Sequence, residues 1–92
     1  MAALSAEQAA SLLTNLPQWE IKDGELVRTY KFGDFLAALA FVNRVGELAE
    51  QAGHHPDIDI RYNKVKLALV THDAGGLTTN DFDLAGRADK AV

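Results

Sequence analysis

At 92 residues, with 48% hydrophobic and 24% charged side chains, the sequence has the balance of one folded domain over residues 1–92, which excludes a disordered chain and a second independent domain. Nine Lys and Arg against thirteen Asp and Glu give a formal charge of −4, so no overall basic field exists to hold a polyphosphate, and direct nucleic-acid binding is not expected. Without cysteine there can be no disulfide, thiolate zinc site or cysteine nucleophile, and histidines, acids and hydroxyls must carry any chemistry.

Ser5-Ala6-Glu7-Gln8 fits a capping box and predicts a short helix to about Asn15, ahead of Leu16-Pro17. Two strands follow. Trp19, Ile21, Leu26, Val27, Tyr30 and Phe32 fall on either side of Lys22-Asp23-Gly24-Glu25, and Asp-Gly tolerates the positive φ of a tight hairpin turn. Asp34 caps a long second helix ended by Gly53, with Phe35, Leu36, Leu39, Val42, Val45, Leu48, Ala49 and Ala52 as its expected apolar positions. A further hairpin runs from Asp57 to Arg61, turns at Tyr62-Asn63-Lys64 and returns from Val65 to His72. Thr78 and Asp81 open a last helix along Phe82, Leu84, Ala85 and Ala88.

The order α-β-β-α-β-β-α, with strands grouped in hairpins, predicts an α+β two-layer domain: a four-stranded antiparallel sheet covered on one face by helices. Lys66, Ala68 and Val70 would lie opposite the core, making the second face charged at one end and apolar at the other. A ligand or another subunit would account for that. The longest apolar run, Phe35 to Val42, is far shorter than the roughly 20 residues of a membrane span, and the N-terminus lacks a basic flank before an apolar stretch. No membrane association and a cytoplasmic location are therefore expected.

The sequence becomes chemically specific at Gly53-His54-His55-Pro56. Two of the three histidines stand just behind a helix C-terminus, where the last carbonyls favour a protonated ring. Pro56 makes His55 extended, so the neighbouring rings should point in different directions. His72 ends the last predicted strand before Asp73-Ala74-Gly75-Gly76, a loop built for a sharp turn. If that strand end lies beside the exit of the long helix, all three histidines converge.

Gly53-His54-His55-Pro56-Asp57, Tyr62-Asn63-Lys64-Val65, Val70-Thr71-His72-Asp73, and Gly76-Leu77-Thr78 with Asp81 closely resemble the pterin-4a-carbinolamine dehydratase family, as does the opening Leu16-Pro17-Gln18-Trp19. The resemblance implies an enzyme that removes water from a 4a-hydroxytetrahydropterin, the product of an aromatic amino-acid hydroxylase, and returns a quinonoid dihydropterin, with no metal or organic cofactor. It implies His54, His55 and His72 as catalytic residues. His54, His55, Pro56, Thr71, His72, Asp73 and Ala74 are implied to line the pterin site. His54 and His55 would handle leaving-group protonation and N5 deprotonation, with either assignment open, while His72 contacts or polarises the substrate. The family also implies a homo-oligomer, a dimer of dimers, with which the Ala-rich stretches Ala37 to Ala40 and Ala85 to Ala91 agree.

Ile58 stands where many relatives have Trp, which removes an aromatic surface near the site, and Gly53 stands where Asn or Asp is frequent. The alternatives are a protein-interaction or dimerisation-cofactor module, and a pterin-binding protein in another pathway such as that of molybdopterin. A metal site on the three histidines lacks any HxH or HxxxH pair. Asp81 is read as a cap. Asp57, Asp59 and Arg61 are read as the solvated side of an edge strand. Trp19, Tyr30, Phe32, Phe35, Phe41 and Phe82 are read as core or interface.

Overall fold

A computed structural model describes residues 2–92. The elements are α1 (Ala6–Leu13), β1 (Glu20–Lys22), β2 (Glu25–Lys31), α2 (Phe35–Ala52), β3 (Asp57–Arg61), β4 (Lys64–Leu69) and α3 (Thr79–Asp89), with a 3₁₀ turn at His72–Ala74. The four strands form one antiparallel sheet in the order β1-β2-β4-β3. The fold is the expected α+β arrangement. No helix among the described residues is long and apolar enough to cross a membrane.

Local chemistry explains where most elements begin and end. The Ser5 hydroxyl accepts from the Gln8 amide, and the Gln8 side chain accepts from the Ser5 amide, completing the capping box of α1. Asp23 and Gly24 both have positive φ, 52° and 79°, as the two-residue turn between β1 and β2 requires. The Asp34 carboxylate accepts from Ala37 N–H at the start of α2, and Gly53 ends that helix in the left-handed region at φ 62°.

The core lies between α2, α3 and one sheet face. Pairing Leu26 with Leu69, Ile58 with Leu67, and both Tyr30 and Ile60 with Val65 puts these side chains on the helix side. Ile58 nevertheless remains partly exposed because β3 is an edge strand. The opposite face carries Lys31, Lys64 and Arg61 at one end, and Val27 and Ala68 at the other.

Two expectations need correction. On α2 the buried residues are Ala38, Phe41, Val45 and Ala49, whereas Phe35, Leu36 and Ala52 are exposed. The continuous apolar run from 35 to 42 supports more than one helical stripe, and the small Ala38 and Ala49 side chains let the backbone approach the sheet along this one. The second correction concerns β4, which stops at Leu69 rather than reaching His72. Its neighbours run out there: β3 begins at Asp57 opposite Ala68, and β2 pairs its Leu26 with Leu69. The chain then closes on itself through a Thr71–Gly76 bridge, and His72 opens the 3₁₀ turn instead of ending the strand.

α3 is fixed to the sheet at its far end by Asp89. Its carboxylate accepts from Trp19 Nε1 at 3.0 and 3.1 Å, from Arg28 at 2.8 Å and from the Tyr30 hydroxyl. Burial first, and then the hydrogen bond to Asp89, push the Tyr30 phenol well above its ordinary 10.0. Trp19, Tyr30, Phe41 and Phe82 are buried, Phe32 is half-buried and Phe35 is exposed.

Candidate active site

The helix C-terminus at Gly53 and the end of β4 deliver their side chains to one place. Gly53, His54, His55, Val70, Thr71, His72 and Asp73 line an open pocket of about 250 Å³. The three histidines therefore converge, together with Thr71 and Asp73. Pro56 and Ala74 do not line this pocket: Pro56 is half-buried at the entry to β3, and Ala74 closes the 3₁₀ turn. Larger hollows of about 490 Å³ lie beside Trp19 and beside Leu12, but neither contains a histidine.

The histidines occupy three different environments. The His54 amide donates to Ala49 O, and its side chain turns inward, 14% exposed, with Nε2 2.5 Å from Asp81 Oδ1. Asp81 has no solvent exposure. A carboxylate only accepts, so Nε2 carries the hydrogen and Nδ1 is the ring nitrogen left to take a proton. His55 turns the other way, and its Nε2 donates to the exposed Glu50 carboxylate near the end of α2. The divergence expected from Pro56 is thus present. The His72 side chain is exposed, and no hydrogen bond or ion pair holds it among the described residues.

Asp81 is held as firmly as it holds His54. Its Oδ2 accepts from Thr78 N–H at 2.9 Å and from the Thr71 hydroxyl at 2.9 Å, while Thr71 and Thr78 hydroxyls lie 2.8 Å apart. The capping role read from the sequence is present. What the sequence reading missed is that the second oxygen of the same carboxylate reaches a histidine 27 positions earlier. The available signal was the cap itself, because a capping-box acid needs only one oxygen for the N-cap amide. Glu50 was also missed, although it lies within one helical turn of the predicted histidine segment.

No group of three or more His, Cys, Asp or Glu among the described residues is arranged to hold a metal ion. The site instead offers two imidazoles with separate carboxylate partners and a third, free imidazole, all opening on one pocket. Such an array can donate one proton and accept another within a single bound molecule.

Comparisons with known proteins agree along the whole chain. The family profile described as pterin 4 alpha carbinolamine dehydratase matches residues 2–91. A protein of Acidobacterium capsulatum, provisionally named a pterin-4-alpha-carbinolamine dehydratase, is 61% identical over 85 residues, which is 92% of each chain. One from Chloroflexus aurantiacus with the same provisional name is 56% identical over 92 residues, covering 100% of this chain and 99% of its own. Among solved structures, a transcriptional coactivator/pterin dehydratase from Brucella melitensis superposes with a TM-score of 0.93 at 30% identity, covering 97% of each chain.

Proposed function

The chain belongs to the pterin 4 alpha carbinolamine dehydratase family, and on that premise we propose that it dehydrates a 4a-hydroxytetrahydropterin by histidine acid–base catalysis in the pocket between Gly53 and Asp73. The observation that carries this reading is the pairing of two pocket-lining imidazoles with different carboxylates, His54 with Asp81 and His55 with Glu50.

The reaction breaks the C4a–O bond and removes the N5 proton. The electrons of N5–H become the N5=C4a double bond, and the hydroxyl leaves as water once it has received a proton. One group must therefore accept while another donates. In this reading His54 is the base: Asp81 fixes its Nε2–H, orients the ring and stabilises the imidazolium formed when Nδ1 takes the N5 proton. His55 is the acid for the departing hydroxyl. It sits at the solvent side of the pocket, where Glu50 steadies the ring and bulk water can return its proton. The unpaired His72 and neighbouring Asp73 contact the pterin, with Pro56 and Ala74 shaping the loops behind them.

The same reading places the enzyme in the cytoplasm, where it returns the pterin spent by an aromatic amino-acid hydroxylase to the tetrahydrobiopterin cycle. It also makes the protein a homo-oligomer, a dimer of dimers. Phe35 is 43% and Leu36 73% exposed on adjacent positions of α2, a pair suited to a subunit contact. Light scattering at micromolar concentration should then give a mass above that of the monomer, and a monomer would reject the assembly.

The activity is tested by generating the 4a-hydroxytetrahydropterin transiently and following its ultraviolet absorbance. Acceleration above the uncatalysed rate by the wild-type protein, lost in His55→Ala with the fold retained, is the expected result. No acceleration by folded protein refutes the activity.

A further inference from the structure

The Thr71 hydroxyl lines up with groups behind the pocket in a way that a substrate contact does not require. Its Oγ1 lies 2.9 Å from Asp81 Oδ2 and 2.8 Å from Thr78 Oγ1. Each of these groups has a limited set of hydrogens, and their directions can be followed in turn. The Asp81 amide donates to Thr78, both to its side chain in the capping box and to its carbonyl at 3.1 Å. With Thr78 Oγ1 accepting there, its own hydrogen goes to Thr71 Oγ1. Thr71 in turn has one hydrogen, which goes to Asp81 Oδ2. That oxygen also receives Thr78 N–H at 2.9 Å.

The circuit runs one way and closes on Asp81. Oδ2 has two donors, which fixes the carboxylate with Oδ1 turned toward His54. Because Asp81 has no solvent exposure, no water supplies an alternative donor to rotate the carboxylate or reverse the pattern. The imidazole must then present Nε2–H to Oδ1 and keep its lone pair on Nδ1.

We propose that Thr71 is a positioning residue: its hydroxyl, donating to Asp81, holds the carboxylate in place and through it the orientation of His54, and is not a substrate ligand. The kinetic part of this inference rests on the dehydratase reading above, whereas the positioning of His54 does not. The Thr71–Gly76 bridge holds the Thr71 backbone in a closed loop, and the side chain is thereby presented to the first turn of α3.

The test uses the full-length ligand-free protein with ¹⁵N-labelled histidine, together with Thr71→Val and Thr71→Ser. In wild type the His54 ring nitrogen shifts should report the Nε2–H tautomer, and Thr71→Ser should retain it. Thr71→Val leaves the carboxylate as acceptor and so keeps the tautomer, but it frees Asp81 to turn and should shift the Nε2–H proton resonance as the His54–Asp81 bond weakens. Its kcat should fall roughly tenfold, the size of one lost hydrogen bond to a charged group, with KM within about twofold and the pH–rate profile displaced. Thr71→Ser should restore kcat. A wild-type ring protonated on Nδ1 overturns the proposal even if Thr71→Val does not fold. An unchanged Nε2–H proton resonance in folded Thr71→Val, or a rise in KM at constant kcat, overturns it as well. Because the spectrum is read without substrate, an inactive wild-type protein would refute the dehydratase reading while the Nε2–H resonance of the two variants still decides the role of Thr71.

Discussion

α3 carries a carboxylate at each end, and the two do opposite kinds of work. Asp81 in the first turn accepts from a threonine amide, a threonine hydroxyl and an imidazole, while Asp89 at the last position accepts from an indole, a guanidinium and a phenol. The partners of Asp89 keep their hydrogens across the neutral range, and the Tyr30 phenol is pushed still further from ionisation. That end is a fixed clasp. Asp81 holds an imidazole, the side chain of His54, whose second ring nitrogen is left unhydrogenated, and His54 lines the pocket. A buried acid thus signals chemistry when the group it holds can change charge, and signals stability when it cannot.

The largest effect that would sharpen this contrast is on rate. His54→Ala and His55→Ala should each lower kcat by about 10²- to 10⁴-fold, the range of general acid–base help, while thermal unfolding stays close to wild type. If both variants kept full rate, the chemistry would have to lie elsewhere. Asp89→Ala should do the reverse: it leaves Trp19 Nε1 and the Tyr30 hydroxyl without their acceptor and should cost about 2–4 kcal/mol of stability by urea denaturation. Activity of the folded fraction should be little changed.

A smaller effect separates the two ends by pH. Tyr30→Phe should cost about 1 kcal/mol at neutral pH. The folded phenol is raised above 10.0, so the wild-type advantage is intact below pH 10. It declines above that value, where the unfolded chain ionises and the folded one does not. Unfolding curves of the two proteins should therefore converge as the pH rises past 10, and a constant gap would show that the Tyr30–Asp89 bond is not the cause. The smallest effect is expected at Gly53. With φ at 62° and nothing within 4 Å of an added Cβ, Gly53→Asn should change stability by less than about 0.5 kcal/mol, and Gly53→Val by clearly more.

Features whose causes are local could be read from the sequence. Both capping boxes, the Asp23-Gly24 turn and the Gly53 terminus depend on residues within a few positions of one another, and all are present. The convergence of the histidines was legible because the exit of α2 and the stretch that follows β4 carry them, even though the strand itself stops before His72. The buried stripe of α2 was not, since a run apolar on several sides does not say which side meets the sheet. The end of β4 depended on where β2 and β3 stop, which is a property of pairing. The carboxylate partners were hidden for a related reason: Asp81 meets His54 across 27 positions, and Asp89 meets Trp19 across 70. The residue types were visible, but only the packing of α3 on the sheet decides which acid faces which donor.

The two ends of α3 can be compared directly by measuring 4a-hydroxytetrahydropterin dehydration with the wild type, Asp81→Asn and Asp89→Asn under identical conditions, alongside the unfolding temperature of each. An amide at position 81 cannot accept from all three donors at once and should favour the wrong tautomer of His54, as the corresponding change does in catalytic triads. We predict a loss of about a hundredfold or more for Asp81→Asn. Asp89→Asn should stay within about threefold in rate while melting at a lower temperature. Equal losses of rate at both positions, or no loss for folded Asp81→Asn, would contradict the assignment of chemistry to one end of the helix and stability to the other.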